Sequence, residues 1–153
     1  MIEIGQPAPD FRLPATRVGE VSLSDFRGRN VYLIFYPKDN TPGCRRQLSA
    51  ARDAIQAYEE RGTAVLAVNP GSLNSHEKWS EKEGFPFPIA VDADRSVAAA
   101  YDALKENGTS IQRTVYLIDR DGVVRYAKRG MPSTEELLAE IDAINAGSRT
   151  TGS

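Results

Sequence analysis

Apolar and polar residues change period several times along the chain, and each change marks an element. The stretch "DFRLPATRVGEVSLSDFRG" alternates on either side of Val18-Gly19-Glu20, which predicts a hairpin followed by a turn at Gly28. "VYLIFY", residues 31–36, is a continuous β-rich apolar run, the pattern of a strand buried on both faces. Over residues 42–61 the period becomes helical, with Leu48, Ala51, Ile55 and Tyr58 on one face and Gly62 placed as the C-cap. "TAVLAVN" predicts a second buried strand, so strand, helix and strand form a βαβ unit with parallel pairing. Residues 74–83 read as an exposed helix, Ile89–Val91 as a short strand and 94–103 as a further helix. "TVYLID" and "VVRYAKR" flank Arg-Asp-Gly, a strong hairpin signal, and Ser133 with Glu136 forms a capping box for a closing helix whose core face is Leu137, Leu138, Ile141 and Ile144.

The element order is an N-terminal hairpin, a βαβ unit, an intervening helical segment, an antiparallel hairpin and a last helix. It predicts an α/β domain of thioredoxin-like fold, a central mixed sheet flanked by helices with an N-terminal β-hairpin extension. No repeat or linker interrupts the pattern, so one domain is expected over 1–146, with 147–153 as a disordered tail.

Composition narrows the partners. A chain of 153 residues with a formal charge of -2 has no basic run dense enough for nucleic acid. No apolar run approaches the roughly 18 residues of a membrane span, and "MIEIGQPAPDF" has neither a positive n-region nor an apolar h-region. A cytoplasmic protein without membrane contact is expected. One cysteine and one histidine exclude a disulfide within the chain and any metal site of clustered Cys and His, and no cofactor is indicated.

The one cysteine, Cys44, follows a buried strand and falls in the first turn of the predicted helix. A free thiol is only about 3% thiolate at pH 7, and thiolate is the reactive form. Helix N-termini, with unpaired N–H groups and the positive end of the dipole, are among the positions that activate cysteine. The neighbours suit this task. Pro42 has no N–H to leave unpaired, Gly43 allows close approach to the backbone, and Thr41 places a hydroxyl at the N-cap. The alternative, a small buried apolar cysteine, fits less well with the polar, turn-forming "PKDNTPG" just before it.

Residues 37–44, P-K-D-N-T-P-G-C, resemble the P-x-x-x-T-x-x-C motif of the peroxiredoxins, and "YPKDNTPGC" is most similar to the bacterioferritin comigratory protein subfamily, also called PrxQ. The likeness extends through "GQPAPDFRLP", "HEKWSEKEGFPFPIAVDAD" and "QRTVYLIDRDGVVRY". It implies a thiol-dependent peroxidase of the AhpC/TSA family, of peroxiredoxin-type fold, acting on hydrogen peroxide and organic hydroperoxides. Carried onto this chain, Cys44 is the nucleophile that becomes sulfenic acid, and the Thr41 hydroxyl binds the peroxide. Pro37 shields the site, and Arg113, from a distant strand, lies across from the thiol. Gln47, where the family often has Glu or Gln, either braces the loop near Arg113 or faces water. Members of the subfamily often carry a resolving cysteine five residues on, where this chain has Ser49. The resemblance therefore implies an external thiol reductant, whether thioredoxin, glutaredoxin or a small thiol, and a monomer or homodimer.

Other residues attract less chemistry. His76 lies in the charged stretch "NSHEKWSEKEG" and reads as a surface histidine, while Trp79 reads as a core anchor before a partner-binding patch. Asp92, Asp94, Asp119 and Asp121 lack calcium-loop spacing and suit helix caps and hairpin turns. Two competing functions remain: a redox sensor that uses oxidised Cys44 without turnover, and a disulfide oxidoreductase, which needs a cysteine where Gln47 stands.

Overall fold

The strands that the apolar runs predict come together in one seven-stranded mixed sheet. The computed structural model describes residues 1–151, with side chains through 147. The strands are β1 (Arg12–Ala15), β2 (Gly19–Ser22), β3 (Asn30–Phe35), β4 (Thr63–Asn69), β5 (Ile89–Val91), β6 (Thr114–Ile118) and β7 (Val124–Arg129). Their order across the sheet is β2-β1-β5-β4-β3-β6-β7. β3 runs parallel to β4, which runs parallel to β5, whereas β6 is antiparallel to both β3 and β7. β3, β4 and β6 are buried at every position, as expected of strands covered on both faces.

Alternation along β3 divides its side chains between two cores. Val31, Leu33 and Phe35 pack with Val97, Ala98, Tyr101 and Tyr116. Tyr32, Ile34 and Tyr36 pack with Cys44 and Leu48 from α1 (Pro42–Asp53), with Trp79 from α3 (Leu73–Glu83), and with Leu137, Ile141 and Ile144 from α5 (Thr134–Thr151). The thiol thus belongs to this second core.

Three helices differ from their sequence patterns. The expected helix over 42–61 is two, α1 and α2 (Ile55–Glu60), because Ala54 leaves the helical region at φ -100° and ψ 9°. The apolar period continues unbroken across Ala54, so spacing alone does not reveal the break. α4 is only Ser96–Ala100, since Arg95 (φ 63°) before it and Asp102 (φ 51°) after it are both left-handed. α3 is not simply exposed: His76, Trp79 and Ser80, at i, i+3 and i+4, are buried.

The aspartates serve as caps and turns. Asp92 accepts hydrogen bonds from the N–H groups of Val97 and Ala98, Asp94 from that of Ser96, and Asp119 from those of Asp121 and Val123. Ser133 Oγ accepts from the N–H of Glu136 at 3.1 Å, whereas the Glu136 carboxylate turns to Lys128 and the Tyr126 hydroxyl, completing only half of the capping box. α5 extends past residue 147 as far as Thr151; of the stretch read as a tail, residues 152 and 153 lie outside the described residues. Among the described residues no helix is long and apolar enough to cross a membrane.

Candidate active site

β3 delivers the chain through Tyr36 into a loop over residues 37–41, and α1 starts at its end. Thr41 is the N-cap, with extended backbone at φ -95° and ψ 152°. Its hydroxyl does not cap the helix but donates to the Lys38 carbonyl at 3.0 Å, closing the loop on itself. Asn40 adopts φ 59°, a left-handed conformation that Asn tolerates better than most residues, and its side-chain oxygen accepts a hydrogen bond from Arg45. The first helical bond runs from the Arg45 N–H to the Thr41 carbonyl at 2.8 Å, so the Cys44 N–H precedes the ladder at the positive end of the helix. Cys44 itself is 1% exposed.

Arg113 reaches the site through strand pairing. Phe35, at the end of β3, stands opposite Thr114, at the start of β6, because the two strands are antiparallel. The residue before Thr114 is therefore brought to the end of the sheet from which the Cys44 loop departs. The Arg113 carbonyl accepts from the Gly130 N–H at 2.9 Å, which extends the β6–β7 pairing by one residue. The guanidinium then divides its donors: Nη2 lies 3.4 Å from Cys44 Sγ, and Nη1 donates to Gln47 Oε1 at 2.6 Å. Arginine only donates, so the Gln47 oxygen must face it. Gln47, 2% exposed, braces Arg113 rather than facing water.

Gly43 makes this approach possible. A Cβ at position 43 would stand 3.2 Å from Arg113 Nη2, closer than ordinary van der Waals contact allows. Thr41 and Gly43 are half-buried, whereas Pro37, at the head of the loop, is exposed. Pro37, Thr41, Gly43, Cys44 and Gln47 therefore lie on one loop and the first turns of one helix, and Arg113 reaches Cys44 and Gln47 from another element.

A second anchor on the loop was not legible. Asp39 accepts at Oδ1 from the Tyr36 hydroxyl at 2.6 Å, and at Oδ2 from the Ser75 hydroxyl at 2.7 Å. His76 Nδ1 lies 2.6 Å from the same Oδ2. Burial raises the Asp39 pKa, but hydrogen bonds from His76, Tyr36 and Ser75 outweigh it and hold the carboxyl below its ordinary value. Tyr36 moves the other way: burial, then the charge of Asp39, push its hydroxyl well above the usual tyrosine range, so it stays a donor. The surface reading of His76 is overturned, because its ring is fully buried. The available signal was its three- and four-residue spacing from Trp79 and Ser80. Trp79 is a core residue, with its ring 5.6 Å from Tyr36 and 5.0 Å from Phe85.

Comparison with known proteins identifies the family. The family model described as AhpC/TSA family matches residues 4–127. The chain is 39% identical over 127 residues to peroxiredoxin Bcp of Bacillus subtilis (strain 168), covering 79% of this chain and 81% of that one. It is 33% identical over 135 residues to alkyl hydroperoxide reductase E of Mycobacterium tuberculosis (strain ATCC 25618 / H37Rv), with 86% and 88% covered. Among solved structures, a cysteine-to-serine mutant of PrxQ from Xylella fastidiosa superposes with a TM-score of 0.86 at 29% identity, over 94% of this chain and 97% of that one. With its βαβ core, its N-terminal hairpin and one cysteine at the start of α1, the chain belongs to the AhpC/TSA family, among its Bcp and PrxQ peroxiredoxins.

Proposed function

We propose that this chain is a thiol-dependent peroxidase that reduces hydrogen peroxide and organic hydroperoxides at Cys44. The observation that carries the reading is the placement of Cys44 Sγ in the first turn of α1, 3.4 Å from a guanidinium that Gln47 holds in place.

The Cys44 thiolate attacks one peroxide oxygen, forming an S–O bond as the O–O bond breaks. The electron pair of that bond leaves on the departing oxygen, which takes a proton and becomes water or an alcohol. Charge moves from sulfur toward oxygen, so donors fixed along that path stabilise the transition state more than the ground state. The 3.4 Å approach of Arg113 Nη2 to the sulfur supports this role, and its fork lets it serve sulfur and oxygen together. The N–H groups at the start of α1 supply the backbone contribution. Thr41 takes a different part from a simple donor. Its hydrogen is engaged by the Lys38 carbonyl, so its oxygen is left to accept the peroxide O–H and orient the attacked atom. Pro37 contributes an exposed, N–H-free residue at the rim, where it limits access of water.

The product is a sulfenic acid on Cys44, and no second thiol exists in the chain to resolve it. One external thiol displaces water to form a mixed disulfide, and a second releases Cys44 with formation of the external disulfide. Thioredoxin, glutaredoxin and small thiols all satisfy this chemistry.

Stopped-flow measurement of sulfenic acid formation tests the reading. Wild-type protein reacts far faster than free cysteine, Cys44→Ser does not react, and Arg113→Ala loses on the order of 100-fold, the usual cost of removing one such donor. Wild-type protein that reacts no faster than free cysteine overturns it.

A further inference from the structure

His76 is fully buried, yet it meets neither Cys44 nor Arg113. Its contacts are more specific than packing requires. Nδ1 faces the Asp39 carboxylate at 2.6 Å, and Nε2 faces the backbone carbonyl of Asn69, at the end of β4, at 3.2 Å. A carbonyl oxygen only accepts, and an ionised carboxylate only accepts. The ring therefore satisfies both contacts only when both nitrogens carry hydrogen, as the imidazolium.

The frame around the ring is itself fixed. The Asn69 side chain donates to the Tyr36 carbonyl at 2.7 Å and accepts from the Gly71 N–H at 2.7 Å, so the end of β4 is tied to the start of the active-site loop. A Cβ at Gly71 would stand 3.2 Å from the ring Cε1, which shows how closely the backbone wraps it. The titratable groups facing the ring are Asp39 from the loop and Tyr36 from the end of β3, whose ring centroid is 6.5 Å away. Glu77 and Lys78, next along α3, are exposed. Tyr36 and Cys44 belong to the same buried cluster, so the network reaches the neighbourhood of the thiol. A buried charged pair is weak evidence for stability, since apolar replacements often do as well. Its place on the loop that ends in Thr41 and Cys44 points to a role in geometry.

We propose that His76 and Asp39 are positioning residues for the peroxide reaction: the His76 ring bridges Asp39 to the end of β4 and so fixes the loop that presents Thr41 and Cys44 to peroxide. The inference rests on the peroxidase reading. Asp39 stands two residues before Thr41 and five before Cys44. A displacement there passes to both, and a shift of about 1 Å in a reacting group can cost on the order of 100-fold in rate.

Two measurements on the full chain test this. Because His76 is the sole histidine, ring ¹⁵N–¹H signals in a labelled sample belong to it without ambiguity. Two ring N–H protons that exchange slowly with water are expected, and Asp39→Ala, which leaves no side-chain acceptor, removes the protection at Nδ1. A ring with one protected N–H in the wild type overturns the bridge. The second measurement is the rate of Cys44 oxidation by hydrogen peroxide in Asp39→Ala, His76→Gln and the double variant, at a temperature where circular dichroism shows each folded. Each single change slows oxidation by about 10- to 100-fold, and the double variant is no slower than the worse single one, as for residues acting through one contact. Folded single variants that react as fast as wild type overturn the proposal, even if they melt earlier. The peroxidase reading fails separately, in the wild type, if that protein reacts no faster than free cysteine.

Discussion

Gly43 shows how one missing methyl group permits a site. The Arg113 fork needs the space a Cβ would take, at 3.2 Å from Nη2, so Gly43→Ala must push the guanidinium away from the sulfur. In a helix, alanine is favoured over glycine by up to about 1 kcal/mol, so the same change should leave urea stability equal or higher. The expected result is a variant at least as stable as wild type that reacts with peroxide about 10-fold more slowly, a smaller loss than for a removed donor. An unchanged peroxide rate would mean that Arg113 does not need this contact. At this scale the sequence was informative where chemistry is local. Thr41, Pro42, Gly43 and Cys44 occupy one turn, and their types alone indicate a helix start built around a thiol. Gln47 left two readings open because its face is decided by where Arg113 comes to rest, 66 positions later. His76 was misread because its partner, Asp39, is 37 positions away on another element, and charged neighbours hide the buried stripe.

Between elements, α3 ties the active-site loop at one end and α1 at the other. Its N-terminal half supplies Ser75 and His76 to Asp39, and near its C-terminal end Glu83 lies 3.4 Å from Arg45 while its carbonyl accepts from Arg52 at 2.6 Å. Hydrogen bonds from His76, Tyr36 and Ser75 make Asp39 a stronger acid than a free aspartate. Its folded pKa lies below the unfolded value of 3.8, so its contribution to stability is present above that value and is lost as pH falls through the folded one. Asp10, Asp102 and Glu136 are lowered as well and share the acid limb. Urea midpoints measured from neutral pH down through about pH 3 should therefore fall in wild type and fall less steeply in Asp39→Asn. Parallel curves would remove Asp39 from the acid response. Strand positions were read well because β3, β4 and β6 are continuous apolar runs. The helices were read less well: the α1–α2 break has no glycine or proline to mark it, and left-handed Arg95 and Asp102 shorten α4.

Across the whole molecule, topology assembles what sequence distance separates. The parallel pair β3 and β4 ends on one side of the sheet, where α/β proteins place their sites, and the loops leaving both strands meet there through Asn69 and Tyr36. β6 runs the opposite way, so its beginning lies at that same side and supplies Arg113. Element order was enough to predict the layers, but the role of Arg113 came from resemblance, since only the Phe35–Thr114 register explains its position. The core beneath the site is shared with α5. Leu48, fully buried among Ile34, Trp79 and Ile141 of that core, should cost about 2–5 kcal/mol when changed to alanine, read from urea unfolding. A loss below about 1 kcal/mol would show that the helix bearing Cys44 does not depend on that core.

Ser49 sits five residues after Cys44 on an unbroken α1, about 7.5 Å further along the axis and turned well away from it. That exceeds the usual Cα separation of a disulfide by enough that a thiol there could pair with Cys44 only by unwinding the helix. With serine in its place, the helix faces no such demand, and the oxidised sulfur must wait. Its waiting time is inversely proportional to the concentration of outside thiol, and during it a second peroxide molecule can carry the sulfenic acid on to sulfinic acid. Survival of the enzyme thus becomes a kinetic competition between two diffusing molecules, with the ratio of thiol to peroxide in the surroundings deciding how many turnovers each molecule completes.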